Sequence, residues 1–162
     1  MKLATLLYAK NSKGEYLLME RAKDPNKGLM SPPGGKLMFD KAESPFECAA
    51  REFEEECGIT TRTTDWELSG IVTEDNYPGI GHIMIFLMTL SNPVDELPVE
   101  SIEGKFRFVD PANLEKENIP ETDKLFIWEN VLNTDGFFSL KIDCNKQPYS
   151  GVIETSPIKT KH

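Results

Sequence analysis

Three glutamates in the first half of the chain form the set of side chains best suited to chemistry. Glu52, Glu55 and Glu56 are spaced i, i+3 and i+4, so on a helix their carboxylates lie on one face. Like charges at this spacing repel by roughly a few tenths of a kcal/mol per pair, and carboxylates in the last turns oppose the negative end of the helix. Arg51 is expected on another side of the helix, where it would not relieve this repulsion.

A solvated acidic face is the common explanation of a Glu-rich helix, and a metal site is the alternative. Clustered carboxylate oxygens suit a hard divalent cation such as Mg²⁺ or Mn²⁺. The pair Gly34-Gly35 upstream supports the metal site, because glycine lets the backbone approach a ligand closely. We therefore predict a Mg²⁺ (or Mn²⁺) site on this helix.

The helix that must carry these glutamates has marked ends. Ser44 is a good N-cap, Pro45 occupies the first helical position, and Glu47 completes a capping box. Gly58 is the expected residue just past the C-terminus. The apolar residues between these marks recur at helical spacing and predict a core-facing stripe: Phe46, Ala49, Ala50, Phe53 and Cys57.

The segment from Arg51 to Ile59, with Glu43 eight residues before Arg51, resembles the second part of the Nudix box of nucleoside-diphosphate-X hydrolases. Every fixed position of that part is filled. The first part departs from the family pattern, because seven residues, 36–42, stand where the family usually has five. A two-residue expansion of a surface loop costs little closure entropy.

The resemblance implies a fold, a reaction and a set of ligands. The fold would be an α/β/α sandwich with a mixed sheet between helices, forming one domain over residues 1–154 with a frayed polar tail at 155–162. The reaction would be metal-dependent hydrolysis of a nucleoside diphosphate linked to another group. The residues that match the catalytic and metal-binding positions, with Glu43 as the structural ion-pair partner of Arg51, are Gly34 (through its carbonyl), Arg51, Glu52, Glu55 and Glu56. A further acid from the loop before Phe106 would complete the site, with Glu100 and Glu103 as candidates.

The flanking segments 16–21, 28–36 and 136–138 resemble the branch that contains MutT and the mammalian oxidised-purine triphosphatase. This resemblance implies a purine nucleoside triphosphate, ordinary or oxidised, that is cleaved to the monophosphate and pyrophosphate. Ser31 stands where that branch commonly has a base-reading Asn, and Asp123 falls near its base-reading acid. An ordinary acid at a helix N-terminus is the alternative for Asp123. The expected phosphate-side contacts are Arg21, Lys23, Gly35 and Lys36.

Other functions stay open at this point. Tyr77 lies eighteen residues beyond Ile59, a spacing found in dinucleoside-polyphosphate hydrolases of the same superfamily. ADP-ribose or another nucleotide sugar is a second alternative substrate, and a nucleotide-sensing module without catalysis is a third possibility. A Ser-His-Asp hydrolase is disfavoured, because the two histidines are the terminal His162 and His82 at the start of a strand.

Composition restricts the partners. The chain has 162 residues and a net charge of −9, which disfavours binding to a nucleic-acid backbone. Three cysteines without framework spacing indicate reduced thiols and a cytoplasmic protein. No segment is typical of a signal peptide or a membrane span, so the expected partner is a small nucleotide, with the protein a monomer or a homodimer.

The remaining pattern predicts strands and one further helix. Residues 3–9 and 16–21 read as strands joined by a turn at 11–14, and residues 66–74 and 82–90 as a pair of strands. Further strands are predicted at 105–109 and 137–143. A helix is predicted at 121–132, with an inner face of Leu125, Trp128, Val131 and Leu132.

Overall fold

The computed structural model describes residues 1–155. Its strands, in chain order, are β1 (Lys2–Tyr8), β2 (Tyr16–Arg21), β3 (Met30–Ser31), β4 (Gly34–Lys36), β5 (Trp66–Tyr77), β6 (Gly81–Leu90), β7 (Gly104–Val109), β8 (Phe138–Asp143) and β9 (Ser150–Ile153). Its helices are α1 (Pro45–Cys57) and α2 (Trp128–Asn133), with a π-helical turn at Asp123–Ile127 directly before α2 and short 3-10 turns at Thr63–Asp65 and Pro111–Lys116.

The strands form two sheets. The larger is a mixed six-stranded sheet in the order β4-β1-β6-β5-β8-β9, and the smaller is a three-stranded sheet in the order β3-β2-β7. The β1–β6 and β5–β8 pairs are parallel and the other pairs are antiparallel. The predicted pairing of the strands at 66–74 and 82–90 is confirmed by the antiparallel β5–β6 pair.

Two apolar clusters lie on opposite faces of the larger sheet. One contains Ala49, Phe53 and Cys57 of α1, packed against Leu7 of β1 and Met88 of β6. The other contains Ile127 and Trp128 near the second helix, together with inward side chains of β5, β6 and β8. The α/β/α arrangement predicted from the sequence is therefore confirmed.

The turn at 11–14 joins β1 and β2 as predicted, with a hydrogen bond from the Gly14 N–H to the Asn11 carbonyl. Next to this turn, the chain pairs through an isolated antiparallel bridge between Lys10 and Tyr16. Beyond this bridge β1 continues in the six-stranded sheet and β2 in the three-stranded sheet. The turn therefore connects two sheets, and the cavity described below is lined by residues of both.

The second helix differs from its prediction. Its first turns are π-helical, with the Trp128 N–H donating to the Asp123 carbonyl, and the wider turn shifts which residues face the core. Leu125 and Leu132, predicted to be on the inner face, are 47% and 41% exposed. Asp123 and Ile127 are buried instead. A polar side chain is thereby placed against the sheet.

The end of the chain is described as far as Thr155, whose hydroxyl accepts a hydrogen bond from the Ser139 N–H. The rest of the tail predicted at 155–162 lies outside the described residues. Cys48, Cys57 and Cys144 are free and buried. Within residues 1–155, none of the helices is long and apolar enough to cross a membrane.

Candidate active site

A cavity of about 940 Å³ extends from the acidic face of α1 to the centre of the six-stranded sheet. The carboxylates of Glu52, Glu55 and Glu56 line one part of it, beside the β4 backbone. Glu74, Thr122 and Asp123 line another part, together with apolar residues such as Ile83, Ile85 and Pro120. We name these two parts the acidic end and the sheet end.

Arg51 forms hydrogen bonds with several groups at the acidic end. Its guanidinium donates to Glu43 at 2.7 and 2.8 Å, to Glu52 at 2.8 Å and to Glu55 at 3.2 Å. It also donates to the Lys36 carbonyl at 3.0 Å. The predicted Glu43–Arg51 ion pair is present, and Arg51 lowers the pKa of Glu43 through its hydrogen bonds. The expectation that Arg51 lies on another side of the helix is wrong, because its long side chain reaches back across the face to two of the three glutamates.

Glu56 is held from the other side. Its carboxylate accepts a hydrogen bond of 3.3 Å from the Gly34 N–H. Burial raises the pKa of Glu56 to about 8, and the negative charges of Glu52 and Glu103 act in the same direction. Burial also raises the pKa of Glu52. Both shifts follow chiefly from the removal of these carboxylates from water.

The two glycines of β4 are required by close contacts. A Cβ atom on Gly35 would lie 2.2 to 2.6 Å from the carboxylate atoms of Glu52, and one on Gly34 would lie 2.1 Å from the Thr5 carbonyl oxygen. The Gly34 N–H points to α1 and not to β1. Because the N–H and C=O of one strand residue point to the same side, the Gly34 carbonyl also lies outside the β1–β4 ladder. Its oxygen is therefore available to another partner.

The donor atoms at the acidic end suit a hard divalent cation, since they are carboxylate and carbonyl oxygens. They do not yet converge. Among residues 1–155, no three histidine, cysteine, aspartate or glutamate side chains are grouped closely enough to hold a metal ion as they stand. Glu52 and Glu55 point to Arg51 and Glu56 points to Gly34, so side-chain rotation would have to accompany metal binding.

The loop before β7 brings Glu103 to the cavity and leaves Glu100 in solvent. Ser101 and Gly104 exchange backbone hydrogen bonds in a tight turn, and the Glu103 carbonyl accepts from the Ala22 N–H at the end of β2. This turn directs Glu103 to the acidic end, whereas Glu100 precedes it, is exposed and does not line the cavity. The prediction of Glu100 as a ligand is thus not supported by its position.

Most of the residues predicted to contact the substrate line the cavity, but Lys23 does not. Arg21 and Lys36 line the cavity, with Arg21 anchored by a 2.6 Å hydrogen bond from its Nε to the Pro25 carbonyl. Lys23 does not line the cavity and instead lies 3.8 Å from a carboxylate oxygen of Glu103. Gly35 and the buried Ser31 line the cavity as well.

Asp123 is buried at the sheet end of the cavity. Burial, and then the charge of Glu74, raise the pKa of Asp123 to about 7. The two residues come from distant parts of the chain and line the same cavity.

The sequence did not lead us to Glu74, and Tyr77 was considered only for its spacing from Ile59. Glu74 lies two residues after the buried Val72, so the two side chains point to the same face of β5. The alternation of side chains along the predicted strand could therefore have shown that an acid occupies an inward position. The Tyr77 hydroxyl donates a 3.0 Å hydrogen bond to the Asn26 side chain, so the end of β5 and the loop that carries Asn26 meet at the cavity wall.

Comparison with known proteins places this geometry in context. The family model described as "NUDIX domain" matches residues 2–128. The crystal structure of a MutT protein from Bacillus halodurans is 24% identical, with a TM-score of 0.76, over 97% of this chain and 100% of that chain. A MutT protein from Methanosarcina mazei is also 24% identical, with a TM-score of 0.66, over 82% and 95% of the two chains.

A third similar structure is the NUDIX domain of NrtR from Shewanella oneidensis, solved in complex with ADP ribose. It is 16% identical, with a TM-score of 0.63, over 81% of this chain and 84% of that chain. At these identities the three structures establish the fold.

Proposed function

Because this chain belongs to the NUDIX domain family and is a pyrophosphohydrolase, we propose that it cleaves a purine nucleoside triphosphate to the monophosphate and pyrophosphate. Nudix hydrolases generally use divalent metal ions. We propose Mg²⁺ or Mn²⁺ for this chain, since its acidic end offers only oxygen ligands. The observation that carries the proposal is that one cavity joins an acidic end to a buried polar patch beside apolar residues.

The acidic end would receive the phosphates. Glu52, Glu55 and Glu56 would hold the metal, with the Gly34 carbonyl as a further ligand and Glu103 as the additional acid from the β7 turn. The metal, when bound, neutralises phosphate oxygens and so makes phosphorus more susceptible to attack by water. Without such a cation, this acidic surface would repel a triphosphate.

The surrounding residues would position these ligands. Arg51 orients Glu52 and fixes the loop at 36–43 through Glu43 and the Lys36 carbonyl. Arg21 and Lys36 supply positive charge along the cavity wall, where the outer phosphates would lie. The narrow approach between Gly35 and Glu52 leaves no room for a side chain, so the β4 backbone itself would face the phosphates.

The sheet end would receive the base. Apolar residues such as Ile83 and Ile85 offer flat contact area, while Ser31 and Asp123 offer polar groups. A polar base contact selects between substrates, and the acidic end carries out the chemistry. The base therefore determines affinity and specificity more than the rate of the chemical step.

A substrate panel tests the proposal. Purified protein would be incubated with Mg²⁺ and one substrate in each reaction. The substrates would be purine and pyrimidine nucleoside triphosphates, ADP-ribose and a diadenosine polyphosphate, and the products would be resolved by ion-exchange chromatography. We expect a purine triphosphate to have the highest kcat/KM. The position of Tyr77 on the cavity wall is the reason to include the dinucleotide. Turnover of ADP-ribose or the dinucleotide alone would replace the triphosphate as the substrate.

A further inference from the structure

Glu74 occupies a position where the sheet otherwise places apolar side chains. It lies beside Ile83 of β6 and Ile142 of β8, and its own strand presents Val72 on the same face. Glu74 is only 3% exposed, and Ile142 is fully buried. A valine or isoleucine in place of Glu74 would pack beside these neighbours without burying a polar group. A buried carboxyl without partners, by contrast, costs the folded state several kcal/mol. The residue is therefore unexplained by the fold alone.

Within the described part of the chain, the carboxyl of Glu74 has no ion pair and no hydrogen bond of normal geometry. Its Oε1 atom is buried and has no hydrogen bond, and no ion pair within residues 1–155 involves it. Thr122 lies beside it and favours the charged carboxylate, but the Thr122 hydroxyl also lacks a hydrogen bond of normal geometry. Two buried polar atoms thus remain without partners and belong to residues that line the cavity.

Asp123 completes this patch. It is 8% exposed, lines the same cavity, and its pKa is raised by the charge of Glu74 in addition to burial. The charge of Glu74 thus disfavours ionisation of Asp123, as expected for two acids in one low-dielectric pocket. The patch consequently offers several acceptor oxygens in a small space.

A ligand that enters this space must bring hydrogen-bond donors. A planar base with an edge of adjacent N–H groups would satisfy the unpartnered oxygens while its faces contact the apolar wall. A base that lacks one of these donors would leave a buried acceptor unpaired, and sites of this kind reject such analogues strongly.

We propose that Glu74 and Asp123 together read the base and select one that presents at least two adjacent N–H donors, such as the amino–oxo edge of guanine. This inference rests on the proposed function for the placement of a nucleotide in the cavity. It adds Glu74 as a specificity-determining residue and specifies the chemistry of the base.

GTP and ITP provide a matched test, because they differ only in the 2-amino group. We expect kcat/KM for GTP to exceed that for ITP by at least about tenfold in the unaltered protein. In Glu74→Gln this ratio should fall to within about threefold, since the amide replaces an acceptor oxygen with a donor. Glu67→Gln, the same substitution at an exposed position of β5, is the control and should keep the original ratio.

Binding of GMP and IMP, measured by titration calorimetry, separates this inference from the proposed reaction. If no triphosphate is hydrolysed but GMP binds more tightly than IMP, and Glu74→Gln removes the difference, the base-reading patch stands and the proposed reaction fails. Equal preference for the two bases in the unaltered protein, in both turnover and binding, would overturn the inference. An unchanged preference in a folded Glu74→Gln protein would overturn it too.

Discussion

The guanidinium of Arg51 holds the carboxylate of Glu43 by two hydrogen bonds, of 2.7 Å from Nε and 2.8 Å from Nη2. Glu43 also accepts a hydrogen bond of 3.1 Å from the Met38 N–H. This arrangement fixes the base of the loop at 36–43 against α1, while residues 39–42 at its tip stay in solvent. The end of the loop next to the glycines is therefore held by hydrogen bonds that do not involve its exposed tip.

Replacing Arg51 by lysine should affect both stability and turnover. Lysine cannot reproduce the two-pronged contact, so we expect the melting temperature to fall by about 3–8 °C and kcat to fall at least about tenfold. Arg62→Lys is the matched control, because Arg62 is 81% exposed and its one ion pair within residues 1–155 is with Asp65 of the same turn. Calorimetry and a turnover assay would check both effects, and indistinguishable results for the two variants would contradict the assigned role.

The effect of replacing a glutamate of α1 on kcat should depend on whether that glutamate lines the cavity, and not on the loss of its charge alone. Glu55→Gln and Glu56→Gln should each lower kcat at least about tenfold at limiting Mg²⁺, because each removes a proposed metal ligand. Glu54→Gln should leave kcat within about twofold, since Glu54 is exposed and does not line the cavity. Near-normal turnover in both ligand variants would exclude these two residues as ligands.

Mg²⁺ should stabilise the protein in the absence of substrate. Binding of an ion to the folded state alone raises stability by mass action, and millimolar Mg²⁺ should raise the melting temperature by about 2–5 °C. The increase should be smaller in Glu52→Gln than in the unaltered protein. A melting temperature that does not respond to Mg²⁺, with or without nucleotide, would indicate that the acidic face is merely solvated.

Asp123 should make stability depend on pH. Its pKa is raised to about 7 in the folded protein from an ordinary value of 3.8, so the folded state binds more protons than the unfolded state between these values. Stability therefore decreases as pH rises from about 4 to about 7, by at most about 1.4 kcal/mol per pH unit from this group.

The variant Asp123→Asn isolates this contribution. Its stability relative to the unaltered protein should increase with pH between about 4 and 8, as measured by urea unfolding. Asp135→Asn, at an exposed position between α2 and β8, should show no such trend. A stability difference between Asp123→Asn and the unaltered protein that stays constant with pH would contradict the predicted linkage.

The parts of the structure that the sequence predicts well are those with local signals. The capping box of α1 is formed as expected, with Ser44 and Glu47 exchanging hydrogen bonds, and Gly58 adopts the left-handed conformation at φ 69°. The three glutamates follow because their spacing is fixed once the helix is known. Even so, the direction of the Arg51 side chain could not be read from its helical position.

The parts that were not predicted depend on distant partners. The strands β3 and β4 have two and three residues and exist only because β2 and β1 pair with them. The four residues of β9 are all exposed and carry no alternating pattern. The π-helical turn before α2 likewise has no local signature here, and it carries the buried Asp123 to the cavity that Glu74 also lines.

The most direct test of the central claim is the identity of the two products formed from a purine nucleoside triphosphate with Mg²⁺. Ion-exchange chromatography and a pyrophosphate assay would measure both products over the same time course. The proposed reaction predicts nucleoside monophosphate and pyrophosphate in equal amounts, with both lost together in Glu56→Gln. Release of nucleoside diphosphate and inorganic phosphate, or no hydrolysis of any triphosphate, would contradict it.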